Sequence, residues 1–240
     1  MTAPGDPTPR PDRGTPVGRR VFIGLLGVGT VGVLTGSTLS EWFAQLTKKD
    51  PTGLATLLPG GGGWRYYTVT DGYPQRAPAE WSLRVAGLVE RPFTLSYAEL
   101  RALPPTHLDR DFQCVTGWRV ADVKWTGVRL ADLLDRAGVA PDGQALRLTS
   151  FDGTYTESLT LTQARRPDVI VAYEMEGKPI GTDHGGPVRL YVAPMYGYKS
   201  LKWLDGIEVT RKVIPGYWED RGYDIDAWVG DSNGRNDERT

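Results

Sequence analysis

The sequence predicts an α+β fold, several small mixed sheets with short helices, preceded by an apolar N-terminal helix. Three observations carry that expectation. Short segments alternate apolar and polar residues, as half-buried strands do. Thirty glycines and eighteen prolines punctuate them, which suits turns and short strands better than long helices. Stretches with apolar residues at helical spacing are brief and irregularly placed, so the regular strand–helix alternation of a parallel α/β sheet is missing. Hydrophobic residues at 40% and charged residues at 24% are ordinary for a globular domain.

Residues 1–20 are rich in Pro, Gly and Arg, with four arginines against two aspartates, and are expected to form a disordered tail. From Val21 to Ser40 the chain carries no charge over 20 residues, about the length of a membrane-spanning helix. Arg19-Arg20-Val21-Phe22-Ile23 resembles a twin-arginine (Tat) export signal, whose pattern is two arginines, any residue, then Phe-Leu. Such signals have weakly hydrophobic, glycine-containing cores. Residues 21–40 are therefore read as a Tat signal or a membrane anchor. No small-x-small cleavage site precedes Trp42-Phe43, which favours the anchor. The arginines before the run and Glu41 after it keep the N-terminus inside. A single anchor would then hold the folded domain at the cell membrane on the extracytoplasmic side. The competing reading is a buried apolar helix of the domain. Residues 41–63 form a spacer that ends in Pro59-Gly60-Gly61-Gly62-Gly63. The folded domain is expected over 64–230, with a polar tail at 231–240.

Within the domain, Trp64 to Val69 is aromatic and β-rich. Trp81 to Ala86 alternates as a half-buried strand, and Gly87 to Pro92 turns the chain into Phe93-Thr94-Leu95. Ser96 stands three residues before Glu99, the spacing of a capping box. It opens a short helix that Pro104-Pro105 stops. Leu130, Leu133 and Leu134 share one helical face, and Gly138 suits the helix C-terminus. Ala145 to Phe151 and Tyr155 to Leu161 read as strands, with a short helix from Leu161 to Arg166 before Pro167. Val169 to Tyr173 and Val188 to Ala193 are continuous apolar runs, as buried strands are. Ile207 to Val213 alternates again. From Trp218 onward the chain is polar and is expected to wrap the surface.

The net charge of −1 gives no basic surplus, so a nucleic-acid partner is not expected. Charge is uneven at the C-terminal end, where residues 215–240 hold seven acids against three arginines. One cysteine, Cys114, excludes an internal disulfide framework and any Cys-rich zinc or iron–sulfur site. Two histidines, His107 and His184, leave no poly-His metal site. A lone cysteine is by default a small buried apolar residue, and a metal ligand is the sharper alternative. Two segments bear on the choice. Asp183-His184-Gly185-Gly186-Pro187 is a tight loop that leads into a strand beginning near Arg189. Gly197 to Lys202 is a glycine-led loop with two lysines and Ser200, a composition that suits an anionic group. Taken singly, each has a bland reading: a satisfied structural histidine, a surface ion pair, solvated lysines.

Together these residues resemble the molybdopterin-binding domain of the sulfite oxidase family, over about Trp64 to Tyr223. The Gln-Cys-x-x-x-x-Arg pattern stands at Gln113-Cys114 to Arg119. The Trp-x-Gly-Val-x-Leu-x-Asp-Leu-Leu pattern runs from Trp125 to Leu134. Ala172 to Arg189 matches Ala-Tyr-x-Met-x-Gly-x-Pro…Asp-His-Gly-x-Pro-Val-Arg, and Gly197 to Leu204 matches Gly-x-x-x-x-Lys-Trp-Leu. The resemblance implies a sulfite-oxidase-type fold and a molybdenum–molybdopterin cofactor. It implies that Cys114 ligates the metal, and that His184, Arg189, Ser200, Leu201 and Lys202 hold the pyranopterin and its phosphate, with Asp152 as a further contact. It also implies substrate-side roles for Arg119, facing an oxyanion, and Tyr223, near the metal's oxygen. A soft thiolate suits such a metal, and a phosphate accounts for the cations.

The implied activity is two-electron oxygen-atom transfer on a small sulfur oxyanion or an S- or N-oxide. Electrons would pass to or from a separate partner such as a membrane or c-type cytochrome. Two departures bear on substrate. The family's early Arg-Asn-His motif has no counterpart at Tyr67 to Gly72, and no stretch matches the C-terminal dimerisation domain. The pocket is therefore expected to be less cationic and less suited to sulfite. The remaining alternatives are a cofactor-free enzyme with Cys114 as nucleophile beside His107 or His184, and a non-catalytic anion- or pterin-binding module.

Overall fold

The computed structural model describes residues 63–70 and 72–230, which lie within one compact unit, Asp50–Thr240. The tail, the Tat-like run and most of the spacer, together with residues 231–240, lie outside the described residues. Among the described residues no helix is long and apolar enough to cross a membrane.

Two five-stranded sheets carry the fold. The first contains β1 (Ser82–Gly87), β2 (Phe93–Ser96), β5 (Ala145–Ser150), β6 (Thr156–Thr160) and β10 (Leu204–Thr210), in the order β2-β1-β10-β5-β6. Only β1 and β10 run parallel in it. The second contains β3 (Thr106–Gln113), β4 (Arg119–Arg129), β7 (Val169–Met175), β8 (Lys178–Pro179) and β9 (Arg189–Val192), with β7 between β4 on one edge and β8 and β9 on the other. Three short helices join them: α1 (Tyr97–Ala102), α2 (Leu130–Ala137) and α3 (Leu161–Ala164).

Local chemistry fixes the helix ends. The Ser96 hydroxyl accepts from the Glu99 amide at 3.3 Å, and the Glu99 carboxylate accepts from the Ser96 amide at 2.8 Å. Thr160 and Gln163 repeat this capping box on α3, at the same spacing in the sequence. Gly138 ends α2 at φ +67, the left-handed cap expected of it.

The continuous apolar run of β7 has a simple cause. Val169, Val171 and Tyr173 enter the main core, while Ile170 and Ala172 enter a second cluster with Phe112, Trp118, Trp125 and Tyr191. Successive strand side chains face opposite ways, so a strand buried on both faces must be apolar throughout. β9 does the same: Leu190 and Val192 join the main core and Tyr191 the second cluster.

Three expectations change. Trp64 to Val69 forms no strand. Its backbone has no strand partner, and the Trp64 ring packs instead against Phe112, Trp118 and Trp125 at 5.0 to 6.2 Å. β3 and β4 form a long hairpin that the apolar pattern did not reveal, because β3 is mostly exposed or half-exposed and rich in charge. The segment after Trp218 is not mere surface wrapping: Glu219 and Asp224 are buried.

The main core rests on α2, where Leu130, Leu133 and Leu134 are fully buried. Leu134→Ala is expected to destabilise the domain by about 2–5 kcal/mol, read as a lower denaturation midpoint with an unchanged denaturant slope.

Candidate functional site

Cys114 sits at the tip of the β3–β4 hairpin. Gln113 and Arg119 form the last paired position of the ladder. The turn is then closed by the Cys114 amide donating to the Trp118 carbonyl at 2.8 Å and the Gly117 amide donating to the Cys114 carbonyl at 3.0 Å. A second loop is pressed against this hairpin. A Cβ on Gly197 would lie 2.4 Å from the Phe112 ring, so only glycine lets the Gly197–Lys202 stretch approach that closely.

Between these elements lies a cavity of about 350 Å³, within the size range of ligand sites. Cys114 lines it, as do Tyr155, His184, Arg189, Ser200, Lys202 and Tyr223. Trp64 to Val69 forms part of its wall. Aromatic density just after a glycine break was the sequence signal for that strap, and it was legible only as a strand.

The cations on the wall are held in an unusual state. Arg189 is buried, with Nη1 donating to the His184 carbonyl at 2.6 Å, Nη2 to the Ser200 carbonyl at 2.7 Å and Nε to the Leu190 carbonyl at 3.2 Å. Its guanidinium lies over the rings of Phe112 and Trp125. No carboxylate among the described residues pairs with it. Burial therefore lowers its pKa to about 10. Lys202 donates to the Asp183 carbonyl at 3.0 Å and likewise forms no ion pair among the described residues. Burial, and then the neighbouring Arg189 charge, bring it down to about 7. His184 is held below its usual range, first by burial and also by Arg189 and Lys202, against the opposing pull of Asp183.

The other expected residues are distributed as follows. Ser200 is buried on the wall, and its hydroxyl accepts from the Val192 amide at 2.9 Å. Leu201 is buried beside it and its carbonyl accepts from the Leu190 amide. The Asp152 carboxylate accepts from the Thr154 and Tyr155 amides at 2.8 Å, while its second oxygen is buried without a partner. Tyr223 packs edge-on against Tyr198 and Trp218 on the cavity wall. Arg119 does not line the cavity; it is largely exposed and ion-paired with Asp111 on the outside of the hairpin. Arg65, to which the sequence reading gave no role, does line it. Neither histidine meets the thiol. Cys114 Sγ lies 3.2 Å from the Thr116 hydroxyl, His184 pairs with Tyr66 and His107 with Thr126.

Lys199 departs most from the sequence reading. It is not an anion ligand on the loop but wholly buried, donating to Glu157 at 2.6 Å, to the Ser158 carbonyl at 2.7 Å and to Glu219. Burial pushes Glu157 up to about 8, with Glu219 adding to the rise and Lys199 opposing it. Burial would lower Lys199, but its two carboxylate neighbours outweigh that and hold it above its ordinary value. Nothing in the local sequence marks these three residues, which come from distant segments. The cluster ties the start of β6, next to Tyr155, and the Trp218–Tyr223 segment to the loop that carries Ser200.

The site suits a molybdopterin. It offers one thiol, a buried arginine and a half-buried lysine, neither of them in an ion pair among the described residues, which suits an anionic, phosphate-bearing group. Among the described residues no three His, Cys, Asp or Glu side chains come together. Cys114 is the one thiol that the described residues bring to the cavity.

Two outcomes follow. Lys202 is charged below about pH 7 and neutral above it, so an anion binds the low-pH form. Sulfate affinity of the cofactor-free protein is expected to fall by up to about tenfold between pH 6 and 8, one proton being linked to binding. Titration calorimetry would check this, and Lys202→Met should flatten the profile. Lys199→Met leaves two buried carboxylates without their cation and is expected to cost about 3–5 kcal/mol of stability. An anion-binding Lys199 would instead lose sulfate affinity with the denaturation midpoint unchanged.

Comparisons with known proteins bear on the family and the fold. A family model described as "Oxidoreductase molybdopterin binding domain" matches residues 70–218. The uncharacterised oxidoreductase YuiH of Bacillus subtilis is 37% identical over 151 residues, covering 62% of this chain and 76% of that protein. Sulfite oxidase of Arabidopsis thaliana is 30% identical over 177 residues, 60% of this chain and 45% of that one. The catalytic subunit MsrP of the protein-methionine-sulfoxide reductase of Xanthomonas campestris is 31% identical over 157 residues, 58% and 48% respectively. The chain thus spans less than half the length of the last two. Among solved structures, the sulfane dehydrogenase SoxCD from Paracoccus pantotrophus superposes with a TM-score of 0.54 at 23% identity, covering 60% of this chain and 41% of that one. That likeness concerns the fold. The chain therefore belongs to the oxidoreductase molybdopterin-binding family of the sulfite oxidases and MsrP subunits, a family of molybdenum-dependent oxidoreductases whose cofactor is molybdenum–molybdopterin.

Proposed function

We propose that the protein carries out two-electron oxygen-atom transfer at a molybdenum centre ligated by the Cys114 thiolate. The observation that carries this reading is one thiol sharing a cavity with two cations, Arg189 and Lys202, that make no ion pair among the described residues. When bound, the cofactor supplies the redox change and the oxygen-atom transfer. The chain's own residues bind and orient. Cys114 gives a soft sulfur. Arg189 and Lys202 neutralise the phosphate, and burial strengthens their hold because little solvent screens them. His184 and Ser200 shape the pterin side from the cavity wall, while Asp152 and Leu201, off the lining, support it through the Tyr155 and Leu190 amides. Tyr223, on the Trp218 side of the cavity wall, would offer its hydroxyl as a donor to the substrate.

Substrate class follows from charge. Arg119 is tied to Asp111 off the cavity wall, and the hairpin tip beside Cys114 presents Val115, Thr116 and Trp118 instead. A neutral S- or N-oxide suits that hairpin face better than a sulfur oxyanion, Arg65 of the strap being the further cation on the cavity wall. Reduction of an oxide needs two electrons, which a membrane or c-type cytochrome would deliver on the extracytoplasmic side, where a Tat-type signal or anchor over residues 21–40 would hold the domain.

The test is a paired assay on protein purified with its cofactor. Reduction of a small sulfoxide is expected to exceed sulfite oxidation, Cys114→Ser to lose at least 99% of it, and Arg119→Gln to retain at least a third. Sulfite as the better substrate, together with a large loss in Arg119→Gln, would restore the oxyanion reading. Undiminished turnover in Cys114→Ser would remove the ligand assignment.

A further inference from the structure

Tyr66 lies in the strap along the cavity, and its hydroxyl is 3.1 Å from Nε2 of His184. The two rings also meet edge-to-face at 4.9 Å, and Trp64 contacts the same imidazole edge-on at 4.7 Å. Orientation of the histidine ring is therefore set by two aromatic neighbours from one segment. The other ring nitrogen, Nδ1, meets no hydrogen-bond partner among the described residues and is not among their buried unpartnered atoms. It stays reachable by a ligand.

We infer that Tyr66 is a positioning residue: its hydroxyl donates to Nε2 of His184, fixing the ring proton on Nδ1 and making Nδ1–H a donor for an acceptor atom of the bound group. The donor and acceptor roles follow from chemistry. A phenol is a better donor than acceptor, and an imidazole lone pair is a stronger acceptor than a phenol oxygen. Which nitrogen of a neutral histidine carries the proton is set by the bond the other nitrogen makes. Both groups are in the required form near neutral pH. Burial, and next the Asp183 charge, hold the Tyr66 phenol protonated above its ordinary value, and burial with two nearby cations keeps His184 neutral. An Nδ1–H donor next to Arg189 and Lys202 suits an oxygen or ring-nitrogen acceptor on an anionic group, and excludes a second cation. The tautomer rests on the geometry alone. Its use toward the cofactor rests on the function proposed above.

The experiment uses the full chain, purified without cofactor and labelled with 15N at histidine. Its two histidines give two imidazole patterns, and His107, whose Nδ1 faces the Thr126 hydroxyl at 3.2 Å, is the internal reference. At pH 7.5, His184 is expected to show the pattern of a neutral ring protonated on Nδ1. Tyr66→Phe keeps both ring packings and removes only the hydroxyl. It is expected to move His184 toward the Nε2-protonated form while leaving His107 and the melting temperature unchanged. Wild-type His184 protonated on Nε2, or a tautomer unaltered in Tyr66→Phe, overturns the inference. A protein that loads no molybdenum would sink the proposed function and leave the tautomer result standing, so the two failures are distinguishable.

Discussion

The site depends on one buried guanidinium. Arg189 begins a strand whose remaining residues fill two cores, and its own side chain crosses to three backbone carbonyls, those of His184, Leu190 and Ser200. It thereby fastens the Asp183–Pro187 loop to the turn that carries Ser200 and Lys202. Carbonyl oxygens and aromatic faces can satisfy the N–H groups and soften the desolvation, but they cannot cancel a charge. A buried cation left in this condition is costly unless something anionic arrives. The same residue is thus a structural staple and, on the function proposed, would also receive the charge of the bound group. Its neighbour Lys202 feels the same charge: burial first, and then Arg189, bring that ammonium down to about 7.

The rest of the cavity is arranged around that pair by two devices of opposite kind. On one side, packing suffices. Trp64 packs against Phe112, Trp118 and Trp125 along the hairpin, with Phe112 and Trp118 stacked next to its tip, and Gly197 lets the facing loop close on Phe112. This holds the thiol at the hairpin tip without any polar tether beyond Thr116. On the other side, charge does the joining. Lys199, Glu157 and Glu219 meet in the interior and bring together three segments, each next to a residue of the cavity wall. Breaking a buried cluster of this type costs more than forming it gains, so it serves as a lock on geometry rather than as a source of stability.

Much of the fold was legible in the sequence because local rules govern it. The Ser96–Glu99 cap, the leucine face of α2 with Gly138 behind it, and the apolar runs of β7 and β9 follow from periodicity and capping, which neighbours in the chain decide. The hairpin β3–β4 was not legible, because its first strand is mostly exposed or half-exposed and carries charge at positions where an apolar alternation would have marked it. At the site, Cys114, His184, Arg189, Ser200, Lys202 and Tyr223 came from motif resemblance and do line one cavity. Motif spacing could not tell that Arg119 turns outward to Asp111, nor that the first lysine of Gly197–Lys202 turns inward to two carboxylates. Those choices are made by partners far along the chain, and a single sequence records no such pairing.

The central claim is that the thiol at the hairpin tip ligates the metal that the cationic wall helps to retain. X-ray absorption at the molybdenum edge tests it most directly, on wild-type protein and Cys114→Ser prepared together. The account requires one sulfur neighbour more in the wild type than the cofactor itself contributes, and its loss in the variant. Equal sulfur counts in the two proteins would contradict it.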